Sequence, residues 1–140
     1  MASRIFWQLH KLAFILEKHA DTHLRAQLGI GFAQYKVLEA INHNMLAKQN
    51  TIAELLDQTE ASISRQIKIL QKKGLINVAD VMGNKRAREL TLTDIGFEIV
   101  SNAEEILEVT QAQIIGSLSY QEQQLFHELF DRMLIKAKNP

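Results

Sequence analysis

The only proline in this chain is its last residue, Pro140, and the six glycines all stand singly. Every earlier position therefore keeps a backbone donor and a φ compatible with helix, so long helices can run without breakers. Ile5, Leu9, Leu12, Leu16, His19 and His23 recur every three or four residues. That spacing predicts a helix from about Ser3 to Leu28 with one buried stripe, ended by Gly29 and Gly31. A second helix is expected from Ala33 to His43 with Tyr35, Leu38 and Ile41 inward, and a third from Thr51 to Asp57 burying Ile52, Leu55 and Leu56.

A break at Gln58–Thr59 precedes a fourth helix reaching about Lys73. Thr59 suits its N-cap, where the hydroxyl can accept from a free first-turn N–H, and Glu60 suits the positive end of the helix dipole. Ile63, Ile67 and Leu70 form the inward stripe; Ser62, Arg65, Gln66 and Lys68 lie outside it. Gly74 is placed to cap the C-terminus. Beyond it the period becomes two, in Leu75–Val81 and Arg88–Thr93, around a basic tip from Met82 to Arg86, which reads as a β-hairpin. Thr93 can cap a fifth helix running towards Ser117 with Phe97, Val100, Ile106, Leu107 and Ile114 at apolar spacing. Tyr120 to Lys136 reads as a sixth, with Leu125, Leu129 and Met133 on one stripe and Phe126, Phe130 and Leu134 on another.

A length of 140 residues fits one domain with a real core, and the absence of cysteine excludes disulfides and Cys-ligated zinc. Arg4, His10, Lys11, Glu17 and Lys18 interrupt the apolar residues of Met1–Ala20, so neither a signal peptide nor a membrane span is expected there, and the protein reads as cytoplasmic. The formal net charge is zero, yet Ala61–Leu90 holds seven basic residues against two acidic ones, a balance of +5 that the remainder offsets. One face meeting a polyanion would produce that segregation; so would a solvated charged face.

Two helices joined by a tight turn and followed by a hairpin outline a winged helix-turn-helix, in which a helix fits the major groove and the hairpin reaches the neighbouring backbone or minor groove. Ser62-Ile63-Ser64-Arg65, Leu70-Gln71-Lys72-Lys73-Gly74-Leu75-Ile76 and Leu92-Thr93-x-x-Gly96 stand in the order and spacing of the MarR family of bacterial regulators, which the chain resembles over nearly its whole length. The resemblance implies a mainly α fold with a small β-hairpin wing. The winged core would span about 33–96, with dimerisation helices at about 3–28 and 97–137. It also implies a homodimer on double-stranded DNA with near-palindromic operators, regulated in many relatives by a small ligand.

The expected DNA-facing residues are Thr59, Ser62, Ser64, Arg65, Gln66, Lys68 and Lys72 on the fourth helix, and Lys85, Arg86 and Arg88 on the wing. Arg65 is the candidate for a base edge, and Lys68, Lys72 and Lys73 for phosphates. Three positions depart from the family pattern. Asn84 stands where an acidic residue usually precedes the wing arginine, Asn77-Val78 replaces a commonly basic position, and Asp57 occupies a frequent turn glycine. The zero net charge and altered wing keep open an alternative, a winged-helix protein-interaction module with weak or no DNA binding.

His19 and His23, one turn apart, are weak metal candidates; burial in the apolar stripe or at an interface is the favoured reading, since a closed zinc site needs four ligands. Trp7, His10, Phe14 and Phe32 are candidates for a pocket taking a small aromatic effector, against plain core packing. Glu104, Glu105 and Glu108 read as a solvated face. No Gly-rich phosphate loop, nucleophile elbow or spaced metal-ligand set is present, so neither an enzyme nor a cofactor is expected.

Overall fold

The computed structural model describes residues 1–44, 47–81 and 84–140, with all their side chains except those of Lys85 and Arg86. In chain order the elements are α1 (Ala2–Leu28), α2 (Phe32–Asn42), β1 (Ala47–Lys48), α3 (Gln49–Leu55), α4 (Glu60–Lys72), β2 (Ile76–Val81), β3 (Asn84–Leu92), α5 (Asp94–Ile115) and α6 (Tyr120–Lys138). They divide into two compact units, Met1–Leu107 and Glu108–Pro140. In the second, Ser119 caps α6 by accepting from the Glu122 N–H at 3.2 Å while the Glu122 carboxylate accepts from the Ser119 N–H at 2.7 Å.

The core of the first unit is built from Leu24, Ile30, Val37, Leu38, Ile52, Ile63, Ile67, Leu70, Leu90 and Val100, all essentially solvent-free. The inward residues expected on α2 and α4 are therefore where the periodicity puts them. Three expectations need correcting. The buried stripe of α1 passes through Ala20 and Leu24, with Leu9 and Leu16 half-buried, so His19 and His23 are exposed. On α3, Leu55 is 54% exposed and Ala53 is buried in its place; the inward face runs through Gln49, Ile52, Ala53 and the half-buried Leu56, so the core meets the flank of Ile52 that carries Ala53 and not the one that carries Leu55. On α5, Phe97 is likewise 54% exposed.

The β structure also differs from a symmetrical hairpin. The sheet has three strands in the order β1-β3-β2, all antiparallel, with Ala47 opposite Leu90. A two-residue strand is too short to show a period. β3 begins at Asn84 rather than Arg88, and the register slips between the pairs Ala79↔Glu89 and Val81↔Asn84, so β3 carries extra residues that alternation could not detect. Of the expected tip, Met82 and Gly83 and the side chains of Lys85 and Arg86 lie outside the described residues.

Where α4 ends, two polar knots hold it. On one side Gly74 turns the chain in the left-handed region (φ 74°), and Thr93 meets it: the Thr93 hydroxyl donates to the Gly74 carbonyl at 2.7 Å and accepts from the Gly96 N–H at 3.0 Å, while the Thr93 N–H donates to the Leu75 carbonyl at 3.1 Å. Gly96 has no side chain because none would fit: a Cβ there would stand 2.1 Å from the Leu75 carbonyl oxygen. On the other side lies the elbow between α1 and α2. Asp21 accepts from Arg25 Nε at 2.8 Å and from the Phe32 N–H at 2.9 Å, and Gln34 Oε1 accepts from the Gly31 N–H at 3.2 Å. Lys73 Nζ reaches that elbow, donating to the Gly29 carbonyl at 2.8 Å and to Gln34 Oε1 at 3.3 Å.

Two predictions follow from these knots. Gly96→Ala should destabilise the protein by about 3 kcal/mol, because the clashing partner is backbone and cannot rotate away; an unchanged urea midpoint would contradict the close approach. The Arg25 guanidinium, and then the Phe32 N–H, hold the Asp21 carboxyl below its ordinary value of 3.8. A depressed folded pKa stabilises above the unfolded value and that stability is lost as pH falls through the folded one. Asp21→Asn should therefore be less stable than wild type at neutral pH, with the gap closing as pH drops below about 4; urea titrations of both proteins across that range test it.

Candidate nucleic-acid interface

α4 is a helix with two chemically opposite faces. Ile63, Ile67 and Leu70 anchor one of them in the core. Arg65, Lys68 and Lys72, at three- and four-residue steps, line the other, and all three are exposed. Thr59 caps the helix as its sequence suggests, the hydroxyl accepting from the Ser62 N–H at 3.1 Å, and Glu60 occupies the first turn. Ser62 and Ser64 flank the basic stripe half-buried, and the Ser62 hydroxyl donates to Gln58 Oε1 at 3.1 Å. Gln66 is also half-buried with its Oε1 shielded from solvent, so it projects less than the spacing suggests.

The turn into α4 needs a left-handed residue, and Asp57 supplies it at φ 51°. This explains why glycine is frequent there and why an aspartate, which tolerates that region better than most residues, can replace it. The same turn forms one wall of an open cleft of about 670 Å³ lined by Asn50, Ala53, Glu54, Asp57, Gln58, Thr59 and Glu60. An acidic rim thus stands beside the start of a helix whose exposed face is basic. Charge counting over Ala61–Leu90 stops one residue short of this rim and misses it.

Two cations in the basic segment are committed elsewhere. Lys73, expected with the phosphate contacts, spends its ammonium on the α1–α2 elbow. Arg88 is 20% exposed at its side chain, with Nε donating to Asp80 Oδ1 at 2.8 Å across the hairpin. The wing therefore does contain a carboxylate that orients an arginine, on the opposite strand and not beside Asn84. Asp80 and Arg88 face each other where the register of Ala79 with Glu89 continues, just before the slip; alternation along one strand does not say which residue it faces on the other.

The candidate effector residues separate in space. Phe14 and Phe32 share a cleft of about 290 Å³ with Glu17, Lys18, Asp21, Ala33 and Lys36. Phe32 also stacks on Tyr35 at 6.1 Å, and Lys36 Nζ lies 5.3 Å from its ring centroid. Trp7 and His10 do not line this cleft; Trp7 is 62% exposed under the Lys11 ammonium. Below the cleft, the buried Tyr35 hydroxyl donates to Glu39, and burial together with that carboxylate pushes its pKa up. Among the described residues no group of three or more His, Asp or Glu is placed to hold a metal ion, and no helix is long and apolar enough to cross a membrane.

The family model described as the MarR family matches residues 32–87, the stretch from the start of α2 into β3. Transcriptional regulator HosA of Escherichia coli O157:H7 is 26% identical over 125 residues, covering 89% of this chain and 93% of that protein. Among solved structures, a Staphylococcus aureus MarR in complex with salicylate and kanamycin superposes with a TM-score of 0.88 at 18% identity, over 99% of this chain and 94% of that one. The S. aureus MepR–DNA complex superposes with a TM-score of 0.79 at 21% identity, over 93% and 96%. At such identities the structures speak for the fold. The family model lies on the helix-turn-helix and wing whose turn, cap and junction residues the geometry accounts for, and over that stretch this chain is similar to the MarR family.

Proposed function

We propose that the chain is a DNA-binding transcription regulator acting as a cytoplasmic homodimer, with α4 as the helix that enters the major groove. The observation that carries this reading is the exposed stripe of Arg65, Lys68 and Lys72 on a helix fixed to the core by Ile63, Ile67 and Leu70. A rigidly seated helix with one basic face is what major-groove recognition requires. That MepR has been captured on DNA is in keeping with it. Thr59, Ser62, Ser64 and Gln66 flank the stripe as shorter polar contacts, and Lys85, Arg86 and Arg88 belong to the wing's approach to the backbone or minor groove.

Dimerisation is supported by apolar surface that a lone subunit leaves in water. Leu125, Phe126, Leu129, Met133 and Leu134 on α6 are each between 41% and 55% exposed, and Phe6 and Trp7 on α1 are each 62% exposed. Patches of this kind mark association surfaces. A two-fold dimer would set its two recognition helices about 34–36 Å apart, matching half-sites one helical turn apart. The cleft holding Phe14 and Phe32 suits a small aromatic effector.

Three outcomes are expected. Light scattering at micromolar concentration should give a dimer; a monomer would sink the assembly. Arg65→Ala should cost about 1–3 kcal/mol in binding a selected duplex and relax the preference at one position of each half-site, because a base-reading arginine is lost. Uniform weakening over all sequences would instead make Arg65 a phosphate contact. Binding to duplex DNA should fall steeply with salt, and absence of binding even at low salt would favour the interaction-module alternative.

A further inference from the structure

Lys73 follows Lys68 and Lys72 in the sequence and belongs with them by charge, yet its ammonium turns away from their face. It bridges the Gly29 carbonyl at 2.8 Å and Gln34 Oε1 at 3.3 Å, partners 44 and 39 residues earlier. Gly29 lies just past the end of α1, where carbonyls lack partners within the helix. Gln34 is in the first turn of α2 and is itself held by the Gly31 N–H. The elbow that carries both is braced by Asp21, which takes Arg25 and the Phe32 N–H. A cation between two oriented acceptors makes a charge-assisted link, the stronger kind of hydrogen bond.

The consequence is mechanical. The Gly74–Leu75 end of α4 is already held by Thr93 and the close approach of Gly96. Ile63, Ile67 and Leu70 seat the helix in the core, and their packing leaves small changes of tilt to be set at its end. A second polar link there, reaching a different pair of helices, narrows that remaining freedom. Resting on the DNA-binding reading, we infer that Lys73 is a positioning residue for DNA recognition: a strut from the end of α4 to the α1–α2 elbow that sets the tilt of the recognition helix, and not a phosphate contact.

Salt dependence separates the two roles. A lost phosphate contact lowers the magnitude of the salt slope by about one unit, whereas a lost strut weakens binding with the number of phosphates unchanged. The informative variant is Gln34→Leu, which removes an acceptor of the strut while leaving the Lys73 charge and every residue of α4 in place. The probe is a duplex selected from random sequence by the wild-type protein, titrated at several salt concentrations against Gln34→Leu, Lys73→Met, their double variant and Lys72→Met, with circular dichroism checking the fold.

Gln34→Leu and Lys73→Met should each lose about tenfold in affinity, of the order of one charged hydrogen bond. Gln34→Leu should keep the wild-type slope, and the double variant should lose less than the sum of the two single losses, since the changes share the Lys73–Gln34 bond. Lys72→Met should instead shallow the slope by about one unit. Wild-type affinity in Gln34→Leu, or a slope loss in Lys73→Met equal to that of Lys72→Met, overturns the inference. If Gln34→Leu does not fold, the slope of Lys73→Met decides alone. If the wild type binds no duplex even at low salt, the DNA reading itself has failed. Hydrogen exchange at the Lys72–Leu75 amides then tests the strut: faster exchange in Lys73→Met upholds it, and unchanged exchange overturns it.

Discussion

The Leu75 carbonyl lying where a Cβ of Gly96 would be is the contact on which the winged domain turns. It lets the first turn of α5 press against the end of α4, and Thr93 stitches the two together by donating to one backbone group and accepting from another. From that point α4 runs back through the core and β2 runs out to the wing. The paired motifs Lys73-Gly74-Leu75 and Thr93-x-x-Gly96 are therefore two halves of a single junction. A hydroxyl, a left-handed glycine and a missing side chain are each required there for a different reason: a hydrogen bond, a backbone conformation and an excluded volume.

With its end held, α4 can divide its labour by face. Burying residues such as Ile63, Ile67 and Leu70 stabilises by roughly 1.5–3 kcal/mol apiece, and this is what seats the helix. Its outer face adds little to stability, since exposed charges interact weakly through water. That face is consequently free to be basic. The acidic residues collect at the helix entrance, where Glu60 favours the dipole and Glu54 and Asp57 rim the neighbouring cleft. A chain of zero net charge can in this way present a local cationic surface, with the compensating charge placed where it does not interrupt the stripe.

The wing shows the same economy of charge. Arg88 is drawn in by Asp80 and covered to the point that a fifth of its side chain remains exposed. Such a pair contributes little to stability on its own, but it fixes a guanidinium that would otherwise sample many rotamers. The two side chains stand opposite one another by continuing the register of Ala79 with Glu89, and the extra residues of β3 come after them, towards the tip. Cations that look equivalent in a count thus fall into different physical classes: Arg65, Lys68 and Lys72 in solvent, Arg88 in a cross-strand pair, and Lys73 in a link to the elbow.

What the amino-acid sequence determined by itself is everything carried by neighbours a few residues apart. Helical spacing located α2, α4 and their buried faces, Thr59 and Thr93 announced their caps, and the motif spacing identified the winged helix, because these features depend on local periodicity and local hydrogen bonds. Tertiary structure alone decided the rest. It turned the stripe of α1 from His19 and His23 to Ala20 and Leu24, and it paired a two-residue strand with β3 through Ala47 and Leu90. It set the strand register so that Asp80 meets Arg88 and slipped it beyond them, and it sent Lys73 to acceptors 44 and 39 residues earlier in the chain. Each of these rests on which surfaces meet in space, and neither periodicity nor charge along the chain encodes a partner 44 residues away.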